Sequence, residues 1–242
     1  MPFVAGLDLG QSQDFSCLIV LEKTELVMGR DPGELEAMVQ VQKEIDSGCR
    51  RAAPGTIIDL TLGMRSQYKR ERRYALRFME RWVLGSSYPK IVDRVCQLFS
   101  KPPLEGATLV IDRTGCGRPV CDLFRQALVD PLRPNRPRYS LVPITITGGS
   151  EPTPDEQGGW KVPKSELVSS LQTVLQTRRI KFAKVPLAAQ LIRELENFRV
   201  KVSEAGNESY AAWRERDHDD TVLSTAIAIW WSERAQKEYW IR

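Results

Sequence analysis

Residues 214–231 read RERDHDDTVLSTAIAIWW. The stretch holds the single histidine of the chain, His218, followed at once by Asp219 and Asp220 and then by a long apolar run. A helix start accounts for part of this, because Asp is a good N-cap and carboxylates suit the positive end of the helix dipole. From Val222 onward the apolar residues Val222, Leu223, Ala226, Ile227, Trp230 and Trp231 recur at helical spacing. Three aspartates, Asp217, Asp219 and Asp220, exceed what one cap requires. The choice lies between helix-start decoration and a metal or catalytic role.

Two further carboxylates bear on that choice. Asp8 ends an apolar run in GLDLG, and Asp112 ends another in LVIDRTG. Both interrupt segments where a charge is expensive. In α/β sheets, ligands gather at the carboxyl ends of parallel strands. If these two strands are neighbours, their aspartates converge, and Asp219 with Asp220 supplies a third corner. Acids gathered in one place repel each other unless cations bind. Hard oxygen ligands suit Mg²⁺ or Mn²⁺, and two such ions serve phosphodiester hydrolysis. Asp14, in the turn after Asp8, either supports the cluster or simply forms the turn. His218 either orients a water or a phosphate, or caps the helix. The glycines of RTGCGRP suit a phosphate cradle, but any tight strand-to-helix turn uses glycine. The chain has no GxxxxGK[ST] and no GxGxxG after a strand, which excludes a P-loop motor and a dinucleotide-binding domain.

The elements that must position these groups follow from apolar periodicity. FVAGLDLG (3–10) and FSCLIVLE (15–22) read as strands joined by a hairpin. Residues 24–56, with a helical stretch in PGELEAMVQVQKEIDSG, break the rhythm and read as an insertion at about 23–67, although TIIDLTLGM (56–64) is strand-like. RYALRFMERW (73–82) is strand-like, and YPKIVDRVCQLFSK (88–101) has helix spacing, with Ile91, Val92, Val95, Leu98 and Phe99 on one side. Residues 107–147 read as a βαβ crossover, with Pro119 near the start of its helix. Amphipathic helices are expected at 163–179 and 186–198, a β-hairpin at 199–213, and a last helix from Asp219. This order predicts one α/β domain over 1–242 with a mixed sheet.

With 42% hydrophobic and 27% charged residues the chain can bury a sizeable core. Its net charge of +4 is mild, but basic residues cluster at 65–81, 133–138 and 177–184, a distribution that fits a polyanion-binding surface. Five cysteines without a CxxC pair, and one histidine, argue against a structural zinc site and for reduced thiols in a cytoplasmic setting. No signal peptide or membrane-length apolar run is present.

Four segments together, GLDLGQSQDFSCLIVLE, LVIDRTGCGRPVCDLF, KVPKSELVSSLQTVLQTRRIKFA and HDDTVLSTAIAIWW, resemble the nuclease domain of bacteriophage large terminase subunits. The resemblance covers most of the chain in the family's order, and residues 23–67 match least well. It implies an α/β fold, an RNase H-like mixed sheet flanked by helices. It also implies a metal-dependent endonuclease that cuts concatemeric phage DNA with two Mg²⁺ or Mn²⁺ ions. Asp8, Asp112 and Asp220 match the metal ligands, with Asp219 as an alternate or auxiliary ligand. Asp14 and His218 are auxiliary, and Lys161, Lys164 and Arg118 are the DNA contacts. The implied partners are double-stranded DNA, a packaging ATPase, a small terminase and a portal protein, in the cytoplasm of a bacterial host. A full large terminase carries an N-terminal packaging ATPase, whereas this chain starts at the nuclease strand. A separately made nuclease domain, or one that relies on a partner motor, is therefore expected.

The rivals are a Holliday-junction resolvase of the same superfamily and a non-catalytic packaging or assembly protein. An actin-like or sugar-kinase-like phosphate site is disfavoured by Gln11 and by the chain length.

Overall fold

The computed structural model describes residues 2–10, 14–28, 43, 47, 69–115, 117–133, 136–197 and 220–238. Eight strands form one sheet: β1 (Phe3–Asp8), β2 (Ser16–Met28), β3 (Lys69–Trp82), β4 (Ala107–Asp112), β5 (Tyr139–Thr147), β6 (Thr153–Pro154), β7 (Trp160–Pro163) and β8 (Ile180–Phe182). Their order is β6-β7-β5-β4-β1-β2-β3-β8. Five helices are described: α1 (Tyr88–Phe99), α2 (Gly117–Val129), α3 (Lys164–Gln176), α4 (Ala188–Asn197) and α5 (Asp220–Glu238). The chain divides into two compact units, one of Met1–Lys23 with Tyr74–Arg242, the other Thr24–Arg73. The second unit carries the far ends of β2 and β3, where Arg72 pairs with Glu25 at 3.3 Å. The expected hairpin at 199–213 and most of the expected insertion at 23–67 lie outside the described residues.

The centre of the sheet follows from the apolar runs. β1 pairs antiparallel with β2 and parallel with β4, so the two aspartate-terminated strands are neighbours. β4 is parallel to β5 and β5 to β7. The β4–α2–β5 unit is the crossover expected from residues 107–147. The short strands β6, β7 and β8 were not expected, because two to four residues carry no readable alternation.

Alternation sends side chains to two core layers. On one face Ala5, Leu7, Leu18, Leu109 and Ile111 pack with Ile91, Val95 and Phe99 of α1 and Val120 and Phe124 of α2. On the other, Val4, Cys17, Ile19, Val110 and Ile144 pack with Leu167 and Leu171 of α3, Leu191 of α4, and α5. Among the described residues, two helices thus cover one face of the sheet and three the other.

Helix α5 differs from the one-sided helix that Val222, Leu223, Ala226, Ile227 and Trp230 suggested. Thr221, Ser224, Thr225, Ala228 and Ile229 are buried as well, so every side of its first ten residues meets protein. It comes close to β1 because residue 6 is glycine: a Cβ there would lie 1.9 Å from the Ser224 carbonyl oxygen. The Ser224 hydroxyl, 3.0 Å from the Cys17 carbonyl oxygen and 2.5 Å from that of Asp220, ties the helix to β2 and to its own first residue.

Gly6→Ala is therefore expected to destabilise the protein by at least about 1–3 kcal/mol, the scale of core overpacking. Urea unfolding followed by circular dichroism checks this; a midpoint equal to wild type would contradict the close approach.

Candidate active site

Asp8 and Asp112 end adjacent parallel strands, each one residue past the paired residues Leu7 and Ile111. Neighbouring strands lie about 4.8 Å apart. By alternation both carboxylates share the face of Val4, Gly6 and Val110, the face covered by α5. Asp220 opens α5, one helical turn before Ser224, the residue that touches β1 and β2. All three are buried, at 8%, 4% and 2% exposure respectively.

The thiol of Cys17 reports how these charges gather. Asp8 and Cys17 face each other in antiparallel register. Burial pushes the Cys17 thiol far above its ordinary value; a hydrogen bond with Ser224 opposes this, and the carboxylates of Asp8, Asp220 and Glu194 add to it. Three acids from β1, α4 and α5 thus act on one sulfur. Glu194 is a site neighbour that the sequence did not reveal. It lies half-buried on α4 and accepts hydrogen bonds from the backbone N–H of Thr221, at 3.3 Å, and from the Thr221 hydroxyl. It thereby closes the first turn of α5, an N-terminal role that carboxylates favour. A glutamate within an amphipathic helix carries no local signal of such a contact.

Protein groups meet the site carboxylates. Asp112 Oδ1 accepts the Thr114 N–H at 2.8 Å, an Asx turn. Asp220 Oδ2 accepts from Arg81 Nη2 at 2.8 Å. Among the described residues, no three histidine, cysteine or acidic side chains are gathered as a metal-holding set. The donor chemistry of Asp8, Asp112 and Asp220, buried carboxylate oxygens from three elements, nonetheless suits a hard divalent cation.

Of the remaining expected site residues, Asp14, Lys161, Lys164 and Arg118 are described. Asp14 is exposed in the turn after β1. That turn is held by Gly10 N–H donating to Ser16 Oγ at 3.1 Å and by the Tyr88 hydroxyl donating to the Gly10 carbonyl at 3.1 Å. Asp219 and His218 lie outside the described residues. Lys164 is buried at the first turn of α3, and Arg118 is exposed at the start of α2. Lys161 pairs in register with Thr145, next to the Asp112–Ile144–Trp160 row, and so points to the sheet face opposite the acids.

On that opposite face Arg113, directly after Asp112, is almost fully buried. It pairs with Asp155, donates to the Gly158 carbonyl at 3.2 Å and reaches Thr145 Oγ1 at 3.2 Å. It ties the turn between β6 and β7 to the strand end that carries Asp112. Many arginines of the three basic clusters are likewise paired: Arg72 with Glu25, Arg77 with Glu22, Arg133 with Asp93, Arg138 with Glu105 and Arg179 with Glu233.

No protein-family model matches the chain, and no curated protein matches it. Among solved structures it is similar to the large terminase nuclease of the thermophilic phage G20c. The two share 19% identity and a TM-score of 0.50, over 93% of this chain and 80% of that one. The human cytomegalovirus terminase nuclease domain, Mn soaked, shares 10% identity and a TM-score of 0.46, over the same fractions. At such identity the likeness speaks of architecture. The fold is an α/β, RNase H-like mixed sheet flanked by helices, of the terminase-nuclease kind.

The Arg113–Asp155 pair yields a pH test. The Gln157 backbone N–H, then Arg113 and Lys161, hold the Asp155 carboxyl below its usual range against an opposing effect of burial. A lowered folded value gives stability that is present above the unfolded value of about 3.9 and lost as pH falls through the folded one. The difference in melting temperature between wild type and Asp155→Asn is therefore expected to be constant near neutrality and to shrink below about pH 4. A pH-independent difference would count against the assignment.

Proposed function

We propose that this chain is a metal-dependent DNA endonuclease that hydrolyses phosphodiester bonds, like the nucleases that cut concatemeric phage DNA during genome packaging. One observation carries the reading: buried carboxylates from two adjacent parallel strand ends and one helix start share a single sheet face. Burial of acids at strand termini costs stability unless a positive charge compensates them. The shared architecture with the G20c terminase nuclease supports the same reading. We take residues 1–242 as one nuclease domain with an insertion at about 23–67.

In this reading Asp8, Asp112 and Asp220, with Asp219 beside them, hold two Mg²⁺ or Mn²⁺ ions. Such ions, when bound, supply an acidified water and offset charge on the departing oxygen. The chain's own contribution is positional. The β1–β4 pairing sets Asp8 beside Asp112, and the close packing of α5 on Gly6 sets the height of Asp220. The Asx turn at Thr114 orients the Asp112 carboxylate, and Arg81 and Glu194 brace the start of α5. Asp14 and His218 act as auxiliary groups, and Lys164 and Arg118 contribute to DNA contact, whereas Lys161 faces away from the acids. The substrate is double-stranded DNA, and a packaging ATPase, small terminase and portal are the partners, in the host cytoplasm. No helix among the described residues is long and apolar enough to cross a membrane.

Incubation of supercoiled plasmid with Mg²⁺, Mn²⁺ or EDTA tests the activity. Nicking or linearisation is expected with either metal and not with EDTA. Asp8→Asn, Asp112→Asn and Asp220→Asn are expected to lose it, while Asp219→Asn weakens it less. Metal-independent cutting, or full activity in the first three variants, would refute the reading. Preference for four-way junctions over linear duplex would favour a resolvase instead.

A further inference from the structure

Strand β3 changes phase partway along. Tyr74 and Leu76 lie in the core layer beneath α3–α5, as does Met79. Arg77 and Phe78, though consecutive, line one cleft with Leu98 and Leu104 on the opposite side. Beyond them Glu80 accepts from Arg94 of α1 at 3.0 Å, and Trp82 packs in the α1 layer. Alternation continued unbroken from Tyr74 and Leu76 would turn Glu80 toward α5 and Arg81 toward α1. The one-residue slip exchanges them, so the acid meets Arg94 and the cation meets Asp220. Such slips are how strands re-aim a side chain, and they recur beside active sites.

The delivered guanidinium is held in a defined plane. Its Cζ lies 3.6 Å from the centroid of the Phe15 ring, and Nη2 donates to Asp220 at 2.8 Å. The side chain keeps 15% exposure, and among the described residues its buried Nε has no acceptor. A guanidinium has five N–H donors in a rigid fork. The Asp220 contact leaves part of that fork for a second acceptor, and the planar fork matches phosphate oxygens. Lys161, a cation expected from sequence to touch DNA, points to the opposite face.

We propose that Arg81 is a phosphate-contacting residue of the candidate site: it braces Asp220 through one N–H and offers others to a backbone phosphate of bound duplex DNA. The inference rests on the nuclease reading for its substrate, but its own measurement does not require cleavage.

The test compares wild type, Arg81→Gln and Arg81→Lys. Binding of a fluorescently labelled short duplex is measured by anisotropy in Ca²⁺ from about 50 to 200 mM salt. Loss of one phosphate contact is expected to reduce the slope of log K against log salt by about 0.9 in Arg81→Gln. Cleavage in Mn²⁺ is expected to fall about 10²–10³-fold in kcat. Arg81→Lys keeps a charge for Asp220 but not the fork, so its melting temperature should recover while cleavage does not. A purely structural pair predicts an unchanged salt slope in Arg81→Gln and recovery of both stability and cleavage in Arg81→Lys, and that result overturns the proposal. If wild type cuts no DNA yet the slope still falls in Arg81→Gln, the phosphate contact stands and the nuclease reading fails. Should Arg81→Gln not fold, the double variant Arg81→Gln/Asp220→Asn removes the unpaired buried charge. Its slope, compared with that of Asp220→Asn alone, decides in the same way.

Discussion

Helix α5 lies so close to β1 that the Ser224 carbonyl takes the space a side chain at residue 6 would need. The candidate site depends on this contact. It sets the distance between the sheet and the first turn of α5, and hence the distance from the strand-end aspartates to Asp220. The helix has little freedom to rotate away from it. Its first ten residues are enclosed, and the small polar side chains Thr221, Ser224 and Thr225 are what allow close packing on every side. The Thr225 hydroxyl donates back to the Thr221 carbonyl at 2.7 Å, so it stays satisfied without requiring an outside partner. The acids are therefore presented by the most enclosed parts of the fold rather than by loops. Reacting groups held by well-packed elements are held more tightly than groups on loops.

Enclosure carries an electrostatic cost that protein groups offset. Asp112 is met by a backbone N–H, Asp220 by an arginine, and the neighbouring Glu194 by a backbone N–H and a hydroxyl. Removing one partner of a buried pair typically costs about 3–5 kcal/mol, because the remaining charge is stranded. The positive charge at Asp220 comes from strand β3, whose phase slip sends Arg81 toward the acids and Glu80 away from them.

The sequence disclosed the acids because a charge ending an apolar run is conspicuous. Asp8 and Asp112 could be matched as strand ends before their strands were known to be neighbours. The β1–β2 hairpin, the β4–α2–β5 crossover and helix α1 were legible for the same reason: each carries a long enough period to read. Arg81 was not legible. It stands among the basic residues at 65–81, where a run of charge reads as a solvated or DNA-facing surface. Only the phase slip at Arg77–Phe78 decides which side it faces, and alternation read from sequence assumes no slip. Arg113 escaped notice similarly, since its partners Asp155 and Gly158 lie over 40 residues further along the chain. Helix α5 was found, but its all-round burial was not, because serine and threonine read as a solvent face.

The phase slip has a second consequence, for how copies of the protein coexist. β3 is a 14-residue strand, yet β8 pairs with it only from Tyr74 to Leu76. A long regular strand near a sheet boundary is a template onto which another chain can add its own strand. Here the backbone beyond Leu76 loses its regular repeat and bears Arg77, Glu80 and Arg81, features that spoil such a template. At the opposite boundary β6 has two residues, one of them Pro154, which lacks the N–H a newcomer would need. The geometry that turns one arginine inward thus also discourages the sheet from growing into its neighbours where many copies are crowded together.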